Sequence, residues 1–199
     1  MKMRRNEERF YPLVLSYLKQ RGYLTESYKN DGRTKFEFTR VGGKTQADVV
    51  GVKDVGRNYS HEIEIVAVEV KDREQARVRY ITQALGYSTF AHRCYLAMPI
   101  KYKDEYINYA RQIGVGLLEI TDNNVKEILS ADLKNPNKAI VTWFLRRSLH
   151  LVKCIFCGSI IYRFQINRIE RIERINVFGE EKHLFICPEC LKILKDKNL

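Results

Sequence analysis

Apolar residues recur with a helical period at the start of the chain and with a strand period further on. From Phe10 to Leu18 they are spaced by three or four positions, and the basic residue and glycine at 21–22 are typical of a helix end. The segment from 61 to 71 is apolar on both faces, which is typical of a strand buried in the middle of a sheet. The pattern therefore predicts an amphipathic helix followed by a sheet with a buried central strand.

Strands and helices alternate in the rest of the first two thirds of the chain. The further elements predicted there are strands at 35–41, 47–52, 94–98 and 116–120, helices at 74–91 and 104–112, and a helical turn at 124–129. In chain order the pattern is one helix, three strands, then helix, strand, helix, strand. This alternation predicts an α/β fold with a mixed central sheet.

The sequence divides into three parts. Asn135-Pro136-Asn137 is the best linker candidate, because turn-forming residues cluster there. The predicted parts are a domain over 1–135, a connecting helix over 136–152 and a module with its own cysteines over 153–199. Within that module the pattern predicts strands at 160–164, 176–178 and 184–186 and a short helix at 192–195.

Composition narrows the class of protein. The chain has 199 residues and a formal net charge of +11, and 45% of its residues are hydrophobic. This length suits one domain with a small appendage, and the hydrophobic content excludes disorder as the main state. The positive charge favours a polyanionic partner, either nucleic acid or an anionic membrane surface. The alternative is a charge-rich surface that serves solubility or thermostability.

The sequence also indicates the cellular location of the protein. No segment approaches the 18 consecutive apolar residues of a transmembrane helix. The basic N-terminus runs into the amphipathic pattern without the apolar core of a signal peptide. We therefore expect a cytoplasmic protein without a membrane partner, in a compartment where disulfides are rare.

Charged residues interrupt the most apolar strand at its end. Glu69 and Lys71 leave the same face because they are two positions apart, and a hairpin can bring Asp48 next to them. Burying such groups is costly unless they pair with each other or with a metal. Two carboxylates on neighbouring strands suit Mg²⁺ (or Mn²⁺), and an ammonium can orient or deprotonate a water beside them. The alternative is a salt-bridged strand end.

These residues resemble a motif of the PD-(D/E)XK nuclease superfamily. Asp48 takes the place of the motif aspartate, and Glu69-Val70-Lys71 takes that of the (D/E)XK triplet, although Ala47 stands where the motif has proline. Residues 7–12 and 22–23 are similar to the first helix of some members. The resemblance covers residues 5–120 and implies a restriction-endonuclease-like αβββαβ core. It also implies a magnesium-dependent hydrolase of phosphodiester bonds, with DNA as the expected substrate.

The resemblance assigns roles to the central residues. Asp48 and Glu69 would bind the metal, with the Val70 carbonyl as a third ligand. Lys71 would position the attacking water. The alternative function is a non-catalytic nucleic-acid-binding or regulatory protein on the same fold, and a further alternative is a protein–protein adaptor centred on the C-terminal module.

Two more residues enter the candidate site through the resemblance. Glu7 would support the metal shell through water; the alternative is a first-turn acid favoured by the helix dipole. Glu8 is the competing choice, but it points away from the face of Phe10. Gln83, with Tyr87 four positions on, resembles the QxxxY element of the branch that includes RecB-type nucleases. Gln83 would orient the site or touch the phosphate, or it is an ordinary helix residue, and Tyr87 is expected in the core.

The C-terminal module carries a metal-ligand pattern. Four of the five cysteines come in two CxxC pairs: Cys154 and Cys157, then Cys187 and Cys190. Two such pairs close a tetrahedral Zn²⁺ site, and four thiolates leave no open position, so zinc would be structural. A redox pair and an iron–sulfur cluster are the alternatives. His183 would be a ligand only if a cysteine were not, and Cys94 is expected in the core. The module resembles a zinc ribbon or treble-clef finger.

Arginine and isoleucine alternate between the two cysteine pairs. The Arg-Ile-Glu repeat over 168–173 has a three-residue period. Two structures fit this period: one helix, or a basic hairpin that lies across a DNA duplex. The alternative is a solvated charged face with internal Glu–Arg pairs. We expect double-stranded DNA as the partner, with salt-sensitive binding, and a possible homodimer for cutting both strands.

Overall fold

The computed structural model describes residues 7–27, 47–55, 63–73, 75–147, 151–154, 156–157, 160–162, 175–177, 180–182 and 186–196. The helices are α1 Tyr11–Gln20, α2 Val78–Leu85, α3 Asp104–Ile113, α4 Lys138–Arg147 and α5 Pro188–Asp196, with 3₁₀ helices at Glu7–Phe10 and Gly86–Thr89. The strands are β1 Leu24–Ser27, β2 Val49–Asp54, β3 Ile63–Val70, β4 Arg93–Met98, β5 Gly116–Ile120, β6 Val125–Leu129, β7 Leu151–Lys153, β8 Ile160–Tyr162, β9 Ile175–Val177 and β10 Glu180–Lys182.

Strands β1 to β6 form one six-stranded sheet in chain order. The β3–β4 and β4–β5 pairs are parallel, and the other neighbours are antiparallel. The prediction of an α/β fold with a mixed sheet is therefore confirmed. Strand β3 is buried over Glu64–Val70, as its two apolar faces predicted. The predicted strand at 35–41 and the Arg-Ile-Glu repeat lie outside the described residues.

Helices cover both faces of the sheet. On one face, Val14 and Leu18 of α1 share a core cluster with Val68 of β3. On the other face, Ile65 of β3 shares a cluster with residues after α2 and with Phe144 of α4. Because neighbouring residues of a strand point to opposite faces, Glu69 leaves β3 on the face of Ile65. The candidate site residues thus lie where a buried strand leaves the core.

The first helix ends as the sequence predicted. The Arg21 and Gly22 amides donate to the carbonyls of Leu18 and Lys19 at 3.0 and 2.9 Å. Gly22 has φ of 81°, a left-handed conformation that residues with a Cβ rarely adopt. The chain then reverses into β1, which was not predicted and pairs antiparallel with β2.

The prediction of a helical turn at 124–129 is wrong, because residues 125–129 form β6. Thr121 N donates to Asn124 O at 2.8 Å, and this tight turn brings the chain back along β5. A single isolated helical turn is unfavourable to nucleate, whereas the edge of β5 offers backbone partners to most of this segment. Glu127 then accepts hydrogen bonds from Tyr17 at 2.9 Å, Tyr95 at 2.9 Å and Ser130 at 2.7 Å, which fix β6 to its neighbours.

Three predicted helices have different bounds in the structure, one of which is the short helix predicted at 192–195, since α5 spans Pro188–Asp196. The helix predicted at 74–91 begins only at Val78, after an extended Arg77, and closes in the 3₁₀ turn that ends at Thr89. The helix predicted to reach residue 152 ends at Arg147, and Leu151 begins β7, which pairs with β8.

In the C-terminal module, β10 at Glu180–Lys182 pairs with β9. The strand predicted at 184–186 falls largely on residues 184–185, which lie outside the described residues, and Ile186 is not in a strand.

The connecting helix α4 belongs to the main core. Its start is capped by Asn137, whose Oδ1 accepts a hydrogen bond from Ala139 N at 2.9 Å. Phe144 is 1% exposed and stacks on Phe90 with ring centroids 4.3 Å apart. Leu151 of β7 joins the same cluster. None of the helices in the described part of the chain is long and apolar enough to cross a membrane.

Candidate active site and candidate metal centre

The register of β2 and β3 brings two carboxylates together. Val49 pairs with Val68 in this antiparallel pair, so the next position outward on each strand is Asp48 and Glu69. Side chains that face each other across two strands have Cβ atoms about 4.5–5.5 Å apart. The sequence-predicted neighbours are therefore adjacent in the structure.

Glu69 is the most buried charged residue of the site. Its side chain is 1% exposed, Oε1 accepts a hydrogen bond from Lys71 Nζ, and Oε2 accepts one from the Tyr87 hydroxyl. Burial, followed by the negative charge of Asp48, raises the pKa of Glu69 to about 7. The site thus holds two carboxylates whose mutual repulsion a bound cation would relieve.

Asp48 is oriented by one donor on each oxygen. The Tyr11 hydroxyl donates to Oδ1 at 2.8 Å, and the Val70 amide donates to Oδ2 at 2.8 Å. Burial and the charge of Asp48 raise the pKa of Tyr11, so this hydroxyl stays protonated and remains a donor at neutral pH. An ionised carboxylate has about four lone-pair positions, so hydrogen bonds that orient Asp48 are compatible with its binding a cation.

Lys71 is the cation of the site. Its Nζ bonds Glu69, lies 3.3 Å from the Val70 carbonyl oxygen and 3.8 Å from Glu7 Oε2, and the side chain is 13% exposed. Burial alone would lower the pKa of Lys71, but the charges of Glu69 and Asp48 outweigh it and raise the pKa. Lys71 is therefore an ammonium donor at neutral pH.

The structure also brings Glu7 to the site. The 3₁₀ helix Glu7–Phe10 carries this carboxylate to Lys71, and burial raises the pKa of Glu7 although Lys71 opposes the shift. Three carboxylates against one ammonium leave the site with excess negative charge. Oxygen donors with excess negative charge are what Mg²⁺ prefers, and it usually takes one or two carboxylates and keeps several waters. The residues present therefore fit a hard divalent cation at Asp48 and Glu69, beside the Val70 carbonyl.

Gln83 lies at the margin of this arrangement. It is exposed on α2, and its side chain hydrogen-bonds the Tyr87 hydroxyl rather than a carboxylate. Tyr87 is fully buried, as expected, yet its hydroxyl holds Glu69. Sequence reasoning missed this contact and that of Tyr11 with Asp48. The four-residue spacing of Gln83 and Tyr87 was the available signal for the first.

The four paired cysteines form a candidate metal centre. Their sulfur atoms all lie within 4.8 Å of one another, and Cys157 Sγ is 3.5 Å from Cys187 Sγ. Four thiolates at about 2.3 Å from Zn²⁺ in a tetrahedron are about 3.8 Å apart, so the spacing fits a tetrahedral ion. Backbone amides of Cys187 and Cys190 donate to sulfur at 3.3 and 3.4 Å, which stabilises thiolate charge. These residues could hold a metal ion.

The remaining cysteine and histidine predictions have different outcomes. Cys94 is fully buried in the core, and burial raises its pKa to about 12, so it is an unreactive thiol. His183 lies outside the described residues.

Comparisons with known proteins add little to this geometry. No family model matches the chain. No curated protein matches it either. Among solved structures, the chain is similar to "SPO1766 protein of unknown function from Silicibacter pomeroyi", with a TM-score of 0.48 and 15% sequence identity, over 74% of this chain and 86% of that chain.

Proposed function

We propose that this protein is a metal-dependent nuclease that hydrolyses phosphodiester bonds in DNA with Mg²⁺ or Mn²⁺. The observation that carries the proposal is the meeting of Glu69 and Glu7 at the Lys71 ammonium, with Asp48 opposite Glu69 on the neighbouring strand, at the point where β3 leaves the core. Carboxylates beside an ammonium are the groups that hold a hard cation and neutralise charge on a phosphate. The net charge of +11 supports a polyanionic substrate.

The roles of the residues follow from their contacts. When bound, Mg²⁺ would polarise the phosphate and lower the pKa of a water, and Asp48 and Glu69 would hold it beside the Val70 carbonyl. Lys71 donates a hydrogen bond that orients the attacking water, and its positive charge stabilises the negative charge that develops on the phosphate oxygens. Glu7, 3.8 Å from the Lys71 ammonium, would help hold Lys71 in place.

The residues around the carboxylates fix their orientation before substrate arrives. Tyr11 and the Val70 amide hold the two oxygens of Asp48, and Tyr87 holds one oxygen of Glu69. Such outer contacts set the position of a ligand and cost about 10–100-fold in metal affinity or activity when lost. These contacts favour a metal-binding site over a simple salt-bridged strand end. The reason is that each carboxylate is oriented by a side chain from a different element, Asp48 by Tyr11 of α1 and Glu69 by Tyr87 of the 3₁₀ helix.

We propose zinc for the four-cysteine centre, in a structural role. Zn²⁺ is the usual ion of closed tetrahedral thiolate sites, and its binding energy folds small modules that lack a core of their own. The module would then present a fixed surface that helps hold the nucleic acid.

Incubation of the full chain with supercoiled plasmid and end-labelled linear duplex tests the proposal. We expect cleavage with added Mg²⁺ or Mn²⁺ and intact DNA without added divalent ion, and conversion of supercoiled plasmid to nicked or linear forms identifies an endonuclease. Intact DNA under all of these conditions contradicts the proposal. If DNA is bound but never cut, the protein is the non-catalytic nucleic-acid-binding alternative.

A further inference from the structure

We propose that Arg73, Arg77 and Arg79, hereafter the arginine cluster, form a binding site for the backbone phosphates of the nucleic-acid strand next to the bond that is cut. This inference rests on the proposed function, because it assumes a nucleic-acid substrate at Asp48 and Glu69. It adds the surface by which a negatively charged strand is held beside a negatively charged site.

The arginine cluster lies on the connection that leaves the candidate site. Residues 71–77 link the end of β3 to the start of α2, and Arg79 lies in the first turn of that helix. β3 and β4 are parallel, so this connection begins at the carboxyl end of β3, next to Glu69. All three arginines are exposed. The arginine cluster is therefore placed to contact a nucleic-acid strand whose phosphate reaches Lys71.

None of the three arginines of the cluster makes an ion pair with a described residue. Of the two acids beside Arg73, Asp72 pairs instead with Arg9 at 3.1 Å, and Glu74 lies outside the described residues. Arg79 donates to the neutral Tyr80 hydroxyl at 3.1 Å, and neither Arg73 nor Arg77 makes an ion pair with any part of the chain that the structure describes. Among the described residues, therefore, no acidic group lies at ion-pair distance from these three exposed guanidinium groups.

One aromatic ring connects the arginine cluster with the candidate site. The Tyr80 ring centroid is 5.0 Å from Arg79 Cζ and 6.0 Å from Lys71 Nζ. The charges of all three arginines act on the Tyr80 hydroxyl, and that of Arg73 also acts on Glu7. The arginine cluster and the site therefore share one electrostatic environment.

The chemistry of the site explains why such a cluster is needed. Glu7, Asp48 and Glu69 exceed the charge of Lys71, and excess negative charge repels an approaching phosphate. Arginine binds phosphate through paired N–H groups in a fixed plane, which makes it the preferred residue for backbone contacts. Backbone contacts position a strand without reading its bases, so we expect the arginine cluster to bind independently of sequence.

Binding of a labelled DNA duplex by the full chain, without added divalent ion, tests the inference. The variant Arg73→Gln/Arg77→Gln/Arg79→Gln is compared with wild type across a range of salt concentrations. Each lost phosphate contact removes roughly one unit from the slope of log affinity against log salt. We expect a slope smaller by two to three units, an affinity at least roughly tenfold lower at moderate salt, and no change in preference among duplex sequences.

The control variant Lys19→Gln/Lys126→Gln/Lys138→Gln removes the same charge from exposed positions on α1, β6 and α4. We expect it to bind with nearly the slope of wild type. Equal losses in both variants would mean that net charge alone acts, and an unchanged slope in the arginine variant would mean that the cluster touches no phosphate; either result overturns the inference. Because the assay measures binding without metal, it is decided independently of whether the wild type cleaves DNA. Where wild type does cleave, the arginine variant should raise KM and leave kcat nearly unchanged.

Discussion

Replacing Asp48 with asparagine is expected to lower the rate of DNA cleavage by roughly 10²–10³-fold or more. The metal supplies several kcal/mol of transition-state stabilisation, and each 1.4 kcal/mol is about tenfold in rate. Asparagine keeps the shape of the side chain: its oxygen can accept from the Val70 amide, and its amide can donate to the Tyr11 oxygen. The negative charge is what is lost, so the fold should survive while the cation site weakens.

Initial rates of plasmid nicking at saturating Mg²⁺ measure this effect. Asp122→Asn is the matched control, because it makes the same chemical change at an exposed position in the turn between β5 and β6. The control should cleave at the wild-type rate, and both variants should melt within a few degrees of wild type. An Asp48→Asn protein that cleaves like wild type would show that Asp48 does not bind the catalytic ion.

Replacing Cys187 with serine is expected to remove the metal from the C-terminal module and to unfold that module. Binding of structural zinc supplies about 10–16 kcal/mol of apparent free energy to small folded units, and a lost thiolate removes a large part of it. Cys187 is buried and its sulfur accepts from the Cys190 amide, so a neutral hydroxyl there also loses a charge-stabilising contact. Helix α4 should stay folded, because Phe144 is packed in the main core.

Metal content per chain by plasma mass spectrometry and thermal unfolding together test this prediction. Cys94→Ala is the control, since it removes a buried thiol outside the cluster. We expect close to one zinc per chain in wild type and in the control, and close to none in Cys187→Ser. Full zinc occupancy in Cys187→Ser, or none in wild type, would contradict the assignment.

The candidate site was predictable because it depends on local pattern. Glu69 and Lys71 are two positions apart on one strand, and antiparallel pairing of two strands that follow each other in the chain can place Asp48 opposite Glu69, as it does here. The CxxC pairs were predictable for a similar reason, since each pair fixes two sulfurs on one turn. The amphipathic period of α1 likewise needs no knowledge of distant residues.

The features that the sequence did not predict have a common physical cause. Each depends on contacts between residues that are far apart in the sequence. The five residues of β6 fit a helical turn as well as a strand, and the free edge of β5 decided between them. Strand β1 is short and carries the polar residues Thr25 and Ser27, so its sequence pattern does not predict a strand. It forms a strand because it pairs with the edge of β2. The contacts of Tyr11 with Asp48 and of Tyr87 with Glu69 join separate elements, and no local spacing encodes the first of them.

The most direct test of the central claim is the position of Mn²⁺ in crystals of the full chain, located by its anomalous scattering. We expect a peak bounded by the carboxylates of Asp48 and Glu69, at oxygen distances of about 2.1 Å, and its loss in Asp48→Asn crystals treated in the same way. A zinc-edge peak at the four cysteines serves as the internal reference for metal-loaded protein. Crystals that show the reference peak but no manganese between Asp48 and Glu69 would contradict the claim that this strand end is a metal-dependent active site.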